Sequence, residues 1–270
     1  MAKIRSSADE AFLAEYDPRA FPPVAVTADV VALTIRDGQL CVLLVRRARP
    51  PEAGLWALPG SFLRTEGAEP ETLENAAARA LAVKTGLTGL RAAGIHLEQL
   101  RTYGDPGRDP RMAVVSVAYV AFAPALPEPA AGTGVAQAAW LPVSTLGLPE
   151  PGLPEGATVP ETTLAFDHAR IVADAVERAR SKIEYTALAA AFAGPQFTLA
   201  GLRRVYEAVW SIELHASNFA RKVLASPGFV EPAGSLETSS ARGGRPAELY
   251  RAGAGTLLQP AILRPRRAKS

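Results

Sequence analysis

Two long apolar stretches joined by a tight turn constrain the fold of this chain most strongly. VAVTADVVALTI (24–35) and QLCVLLVRR (39–47) are rich in β-branched residues, and the Asp37-Gly38 pair between them is typical of a β-hairpin turn. A third stretch of the same kind, AVVSVAYVAF, spans 113–122. AQAAWLPV (136–143) returns to a strand pattern after a loop of Pro, Gly and Ala. The sequence therefore predicts a sheet built around one hairpin.

One helix is predicted between these strands, over 71–85, with Gly86 as its stop signal. The positions that recur at helical spacing are Leu73, Ala77, Leu81 and Lys84. Because strands and helix are interleaved, the sequence indicates an α/β or α+β domain.

The part of the chain after this domain is predicted to be mainly helical. FDHARIVADAVERARSKIEYTALAAAF (166–192) is a long helical stretch with one break near Ser181. Thr198 is the expected N-cap of a following helix, and a second short helix fits 215–225.

A hairpin is predicted to follow these helices. GFVEPAG (228–234) and RPAELYR (245–251) are strand-like and are joined by a polar loop. Short helices followed by a hairpin are the components of a winged helix-turn-helix.

Charge is distributed unevenly along the 270 residues. The segment from Pro195 to Ser270 holds 11 Lys and Arg against five Asp and Glu, a net +6, which leaves −4 for the rest of a chain whose total is +2. A basic C-terminal quarter on a slightly acidic body indicates an anionic partner for that quarter alone.

Composition limits the class of protein. The apolar runs are too short to span a bilayer and the first residues lack the apolar core of a secretory signal, so we expect a cytoplasmic protein with no membrane partner. The single Cys41 excludes an intrachain disulfide and a cysteine-based zinc site. Residues 1–20 are polar and are expected to be mobile.

The stretch GLWALPGSFLRTEGAEPETLENAAARALAVKTGL (54–87) resembles the signature box of the Nudix hydrolase family. The second half of the box matches at Glu71, Arg79, Leu81, Gly86 and Leu87. The first half fits 60–66, with about five extra residues in the loop TEGAEP between the halves. The resemblance implies an α+β fold, an α/β/α Nudix-like sandwich.

The glutamates that hold a divalent ion in Nudix enzymes are missing from the matching positions, which are Ala80, Val83 and Lys84. A hard cation requires oxygen ligands, and an ammonium group repels it. Glu69, Glu71 and Glu74 lie earlier and are expected to form a charged helix N-terminus, with Glu71 or Glu74 pairing with Arg79. We therefore expect no catalytic residues, no metal site and no cofactor.

The stretch LRTYGDPGRDPRMAVVSVAYVAF (100–122) resembles a segment of Nudix domains related to ADP-ribose metabolism. Arg108 and Arg111 can pair with a diphosphate, while Asp105 and Asp109 either bind ribose hydroxyls or hold those arginines. Trp56 and Tyr103 either stack on a base or pack in the core. The candidate effector-binding residues are Arg46, Arg47, Trp56, Arg79, Tyr103, Asp105, Arg108, Asp109 and Arg111.

The segment 196–251 resembles the C-terminal domain of the Nudix-related transcriptional regulator family, NrtR. Its cues are FTL with VYEAVW, NF-x-RKVL and GRP-x2-LYR; with the upstream FDHARI and KIEYTALA, the resemblance covers about residues 20–252. Ala220 stands where a basic residue is expected, and His215-Ala216 where a more polar start is expected, which affects the details of base contacts.

The second short helix has the layout of a recognition helix. Asn218, Arg221 and Lys222 share one face, whereas Phe219, Val223 and Leu224 are expected to point inward. Arg242 and Arg245 flank the predicted wing tip. The candidate DNA-binding residues are Thr198, Arg203, Arg204, Asn218, Arg221, Lys222, Arg242 and Arg245.

The resemblance implies a homodimeric repressor of NAD-metabolism genes that binds an inverted-repeat operator in double-stranded DNA and senses ADP-ribose or a related nucleotide. Two alternatives stay open: an active Nudix pyrophosphatase of ADP-ribose-like substrates, and a regulator of the same architecture that responds to a sugar phosphate. The expected division is a flexible N-terminus (1–20), an effector domain (21–165), a helical connector (166–194), a winged helix-turn-helix (195–255) and a basic tail (256–270).

Overall fold

A computed structural model describes residues 6–65, 70–88, 97–124, 126–148, 162–236 and 246–265. A seven-stranded sheet forms its centre, and the strands along its main path run in the order β3-β2-β1-β6-β5. The strands are β1 (Ala25–Arg36), β2 (Gln39–Arg47), β3 (Trp56–Ala57), β4 (Gly60–Phe62), β5 (Leu97–Tyr103), β6 (Val114–Phe122) and β7 (Val135–Pro142). β4 pairs with β1, and β7 pairs with β2.

The predicted strands and hairpin are confirmed. β1 and β2 pair antiparallel with Arg36 opposite Gln39, so Asp37-Gly38 forms the turn. β1 also pairs with β6, and this pairing is parallel over nine residue pairs. Because β1 is bonded on both sides, its middle is buried, from Ala28 to Thr34.

One helix packs on each face of the sheet. The helix α2 (Leu73–Thr85) ends at Gly86, which has a φ of 71°, the left-handed conformation that makes glycine a helix stop. Its apolar face packs with Val30, Ala32 and Val117 of the sheet. On the other face lies α3 (His168–Tyr185), which buries Ile171, Val172, Ala175, Val176, Ala179 and Ile183. The α/β/α sandwich is thereby confirmed.

The long helical stretch breaks later than the sequence predicts. α3 continues through Ser181 and ends at Tyr185, and α4 (Leu188–Ala193) follows. Thr186 adopts an extended conformation, bridges to Leu257 and is followed by an Ala187 N–H that donates to the Thr256 carbonyl at 3.2 Å. The prediction of a break near Ser181 is therefore wrong, because contacts with a segment 70 residues downstream end the helix.

The C-terminal elements form the predicted winged helix-turn-helix. They are α5 (Leu199–Trp210), α6 (Ala216–Leu224), β8 (Val230–Leu236) and β9 (Glu248–Ala252), and the two strands pair antiparallel. Thr198 is the N-cap of α5, because its hydroxyl accepts a hydrogen bond from the Gly201 N–H at 3.0 Å.

A single apolar cluster joins both halves of the molecule. It contains Leu33 and Val42 of the sheet, Ile183 of α3, and Tyr206 and Phe219 of the winged helix. Two hydrogen bonds reinforce this contact: Tyr206 donates its hydroxyl to the Ile183 carbonyl at 2.9 Å, and the Trp210 indole donates to the Arg180 carbonyl at 3.1 Å. The helix α3 therefore belongs to the interior of both domains.

The first described segment carries a helix that the sequence analysis did not identify. α1 (Ser7–Glu15) begins at a capping box in which Ser6 and Asp9 bond each other's backbone N–H groups. None of its residues is buried. Within the described ranges, no helix combines the length and the apolarity needed to cross a bilayer.

Candidate functional site

A cleft of about 570 Å³ lies between α2, β4, the loop before β6 and the start of α3. That volume suits a small-molecule ligand. Its lining includes two carboxylates, Asp29 and Asp109. It also includes seven cationic side chains: Arg47, Arg49, Arg64, Arg79, Lys84, Arg108 and Arg111. The excess of positive charge favours an anionic ligand.

The structure brings together part of the predicted effector site. The candidates that line the cleft are Arg47, Arg79, Arg108, Asp109 and Arg111. Arg46 and Arg47 are neighbours on β2, so they point to opposite faces, and only Arg47 lines the cleft. Arg46 is instead exposed, and its Nε donates to the Gly54 carbonyl at 2.8 Å.

The other three candidates lie outside the cleft lining. Tyr103 is buried and donates its hydroxyl to Asp174 at 2.8 Å, and Trp56 packs against the larger apolar cluster. Asp105 accepts a hydrogen bond from Arg170. Of the two roles expected from the sequence, stacking on a base or packing in the core, both aromatic residues thus show core packing.

The two loop arginines are held by carboxylates in bidentate pairs. Arg111 donates to Asp109 at 2.9 and 2.6 Å, and this guanidinium lowers the pKa of the Asp109 carboxyl. Arg108 donates to Asp167, directly before α3, at 2.8 and 2.6 Å, and its side chain is only 5% exposed. Asp109 therefore holds an arginine, which is one of the two roles expected for it from the sequence.

The Nudix-like helix presents its signature positions to this cleft. Ala80, Val83 and Lys84 all line it, and Arg79 forms an ion pair with Glu71. The sequence predicted either Glu71 or Glu74 as the ion-pair partner of Arg79, and the structure shows Glu71. The hydrogen bonds from Arg79 lower the pKa of the Glu71 carboxyl.

These side chains do not fit a divalent metal ion of the Nudix type. At the positions where the resemblance places the Nudix glutamates, two side chains are apolar and the third is cationic. The remaining carboxylates are engaged, since Asp29 accepts hydrogen bonds from Thr27 and Ser116, and Asp109 accepts them from Arg111. Across the described parts of the chain, no group of three or more His, Cys, Asp and Glu is placed to hold a metal ion.

His168 lies at the inner wall of the cleft, at the first turn of α3. Its Nδ1 accepts a hydrogen bond from the Leu58 N–H at 2.9 Å, which requires that this nitrogen carries no proton. Burial lowers the pKa of the imidazole below its ordinary value of 6.5, despite the opposing effect of Asp29. The neutral ring therefore ties α3 to the strand region of Leu58.

This arrangement predicts an acid-sensitive stability. A histidine whose pKa is lowered by folding contributes its full stability above the unfolded pKa and loses it as pH falls below that value. We expect the free energy of unfolding to drop by about 1 kcal/mol between about pH 7 and about pH 5.5. Urea unfolding at both pH values measures this drop. His168→Asn should flatten it, because asparagine does not titrate, while its amide oxygen can still accept the Leu58 hydrogen bond. If the His168→Asn variant lost the same free energy of unfolding over this pH range, a group other than His168 would be responsible for the titration.

Cleft residues that were not proposed as effector contacts from the sequence include Arg49, Lys84 and Phe166. Phe166 has a φ of 55° and is held there by Glu52, which accepts its N–H at 2.6 Å. The Arg47 guanidinium lies 4.8 Å from the centre of the Phe166 ring. The motif FDHARI marked the residue as part of the family pattern, but its strained conformation leaves no signal in the sequence.

The surface of α6 is cationic and polar. Asn218, Arg221 and Lys222 are exposed, and Phe219 and Val223 are buried, as predicted. The prediction that Leu224 points inward is wrong, since 55% of its surface is exposed. It is the last residue of α6, beyond the apolar stripe formed by Phe219 and Val223.

The other predicted DNA contacts differ in their surroundings. Arg204 is exposed, whereas Arg203 donates to the Leu214 carbonyl at 2.8 Å and pairs with Glu207. Thr198 is buried and caps α5. Arg242 and Arg245 lie outside the described residues, as does Glu69.

Two family models match the chain in sequence order. A NUDIX domain matches residues 24–161, and an NrtR DNA-binding winged helix domain matches residues 190–252. A curated relative, the "ADPR responsive transcriptional repressor NtrR" of Acinetobacter baylyi, is 32% identical over 249 residues, which cover 92% of this chain and 90% of the relative.

Solved structures agree with this assignment. NrtR of Shewanella oneidensis complexed with a 27mer DNA aligns with a TM-score of 0.63 at 29% identity, covering 84% of this chain and 93% of that one. The NUDIX domain of the same regulator complexed with ADP ribose aligns with a TM-score of 0.53 at 34% identity, covering 65% and 99%. Together with the domain order, these matches show that the chain belongs to the NrtR family, which joins a NUDIX domain to a winged helix domain.

Proposed function

We propose that this protein is a transcriptional repressor of NAD-metabolism genes whose Nudix-like domain binds ADP-ribose or a related nucleotide. The observation that carries the proposal is the presence in one chain of a cationic small-molecule cleft and an exposed basic α6. A relative named as an ADPR responsive repressor, and relatives solved with DNA and with ADP ribose, support both halves.

The effector site of this proposal is the cleft. Arg108 and Arg111 are oriented by Asp167 and Asp109, so their guanidinium groups are positioned before a ligand arrives. Arg47, Arg79 and Asp109 complete the part of the predicted site that lines the cleft, and Phe166 adds an aromatic face. ADP-ribose carries a diphosphate between two sugars, and the cations of the cleft can bind this diphosphate while the Phe166 ring contacts the adjacent part of the ligand.

The DNA-binding surface of this proposal is α6 with its neighbours. Asn218, Arg221 and Lys222 face solvent from one helix and can enter a major groove. We propose that the exposed Arg204 contacts the DNA backbone and that Thr198 contributes by capping α5. We also propose that Arg242 and Arg245 contact DNA from the wing, and that a homodimer binds an inverted-repeat operator.

The Nudix-like domain is proposed to be catalytically inactive. Hydrolysis in this family depends on carboxylates at the positions that Ala80, Val83 and Lys84 occupy here. These side chains cannot place a divalent ion on the substrate diphosphate. In this proposal, the domain retains the ligand-binding cleft but lacks the hydrolase activity.

The helix α3 is the proposed coupling element. At its start, Asp167 pairs with Arg108 of the cleft, and near its end Ile183 and Arg180 accept hydrogen bonds from α5. A ligand that binds Arg108 differently in two conformations would shift the balance between DNA-competent and incompetent states.

The proposal is tested by a gel shift on the DNA upstream of the protein's own gene and of neighbouring NAD-synthesis genes. We expect a shift that ADP-ribose changes and that ribose 5-phosphate leaves unchanged. A parallel assay with Mg²⁺ should detect no ADP-ribose hydrolysis. Metal-dependent turnover without a shift would establish the pyrophosphatase alternative, and a response to the sugar phosphate alone would establish the sugar-responsive one.

A further inference from the structure

The cationic side chain of Lys84 is placed in the cleft by the end of α2. It belongs to the last turn of that helix, and its Nζ donates to the Thr133 carbonyl at 2.9 Å. It also lies against Gly134, where an added Cβ would approach the Nζ to 3.5 Å. One of its three donor positions is therefore used, and the group lines the cleft.

The loop opposite holds the end of α2 in place. The Gly132 N–H donates to the Lys84 carbonyl at 3.1 Å, and the Thr133 N–H donates to the Val83 carbonyl at 3.0 Å. A Cβ on Gly132 would overlap the Val83 carbonyl, so this close approach depends on glycine. Lys84 thus extends from a fixed backbone rather than from a frayed helix end.

Four of the seven cleft cations, among them Lys84, Arg47 and Arg49, form no ion pair with another described residue. Among the described residues, no ion pair includes Lys84, Arg47 or Arg49. Burial lowers the pKa of Lys84, and the positive charges of Arg47, Arg49 and Arg79 lower it further. A group of partly buried like charges is stabilised by an anion that binds between them.

We infer that Lys84, together with Arg47 and Arg49, binds the diphosphate of the nucleotide ligand directly and supplies the positive charge that a divalent metal ion supplies in Nudix hydrolases. By the resemblance, Lys84 stands where a Nudix hydrolase has a glutamate that holds the metal ion. The same place in the fold is then positively charged in both proteins, by the metal ion in the hydrolase and by the lysine here. Ligand binding is then independent of metal. This inference rests on the proposed function and specifies how the effector site recognises its ligand.

The test is isothermal titration calorimetry of ADP-ribose into the full chain, once with EDTA and once with excess MgCl₂. We expect the same affinity in both buffers. Lys84→Met should weaken binding about 10- to 100-fold in EDTA, the loss typical of a charged hydrogen-bonded contact. Lys84→Arg should restore most of the affinity, which a purely structural role of the lysine stem would not explain.

Lys182→Met is the matched control. Lys182 lies outside the cleft lining and pairs with Glu98, which keeps Arg178 as a second partner. We expect its ADP-ribose affinity to equal that of the wild type, and thermal melting should show that all three variants fold.

Three results would overturn the inference. Wild-type binding that requires Mg²⁺, or a Lys84→Met variant that binds like the wild type in EDTA, would refute it and leave the ADP-ribose sensor standing. The absence of ADP-ribose binding in both buffers would refute the proposed ligand itself, and the inference with it.

Discussion

Charge reversal at Arg221 and Lys222 together should abolish DNA binding, with a loss of affinity of at least about 1000-fold. Both side chains are exposed on α6. Each reversal would remove a contact that we propose with a base or a phosphate, and it would add repulsion from the phosphate backbone. The side chains lie on the face opposite Phe219 and Val223, so the fold should stay intact.

The measurement is fluorescence anisotropy with labelled upstream DNA at fixed salt, repeated at several salt concentrations to obtain the salt slope. ADP-ribose binding by the double variant, measured by calorimetry, should equal that of the wild type. Arg19→Glu, which reverses an exposed cation of the N-terminal segment, is the control and should leave DNA affinity unchanged. Retained DNA binding by the double variant would place the DNA-contacting surface outside α6.

Truncation of Trp210 should cause the largest loss of stability. Trp210 is 3% exposed, packs edge to face on Tyr206 with ring centres 4.8 Å apart, and donates its indole N–H to the Arg180 carbonyl. Trp210→Ala would leave a cavity between α3 and α5 and would remove the indole hydrogen bond to the Arg180 carbonyl. We expect a decrease of about 4 kcal/mol in the free energy of unfolding.

Urea unfolding followed by circular dichroism measures this decrease. Trp210→Phe keeps an aromatic ring and loses the hydrogen bond, so about 1–2 kcal/mol is expected. Leu224→Ala is a control from the same domain, because Leu224 is largely exposed and its truncation should change stability by less than about 0.5 kcal/mol. If Trp210→Ala cost no more than Leu224→Ala, the contact between α3 and the winged helix would not contribute to stability.

Local signals in the sequence account for most of the elements. β1, β2 and β6 are long runs of buried apolar residues, and Gly86 and Thr198 mark helix ends by their backbone conformation and side-chain chemistry. β3 and β4 have only two and three residues, too few for a periodic pattern. The end of α3 depends on a bridge to Leu257, a partner that no local window contains.

The candidate site could be predicted by composition more than by geometry. The density of charge in the 104–111 loop indicated the right loop, and Arg108 and Arg111 do line the cleft. Which acid holds which arginine depends on the fold, since Asp167 lies 59 residues from Arg108. The choice between Arg46 and Arg47 depends on strand orientation, which a one-residue shift in pairing reverses.

The shared apolar cluster limits how this protein can be divided or recombined. Leu33 of the sheet, Ile183 of α3 and Tyr206 of α5 lie in one continuous interior, so a cut between the two halves would expose apolar surface on both fragments. A chimera that transfers the DNA-reading half to another sensor would therefore have to carry α3 and its sheet-facing residues along.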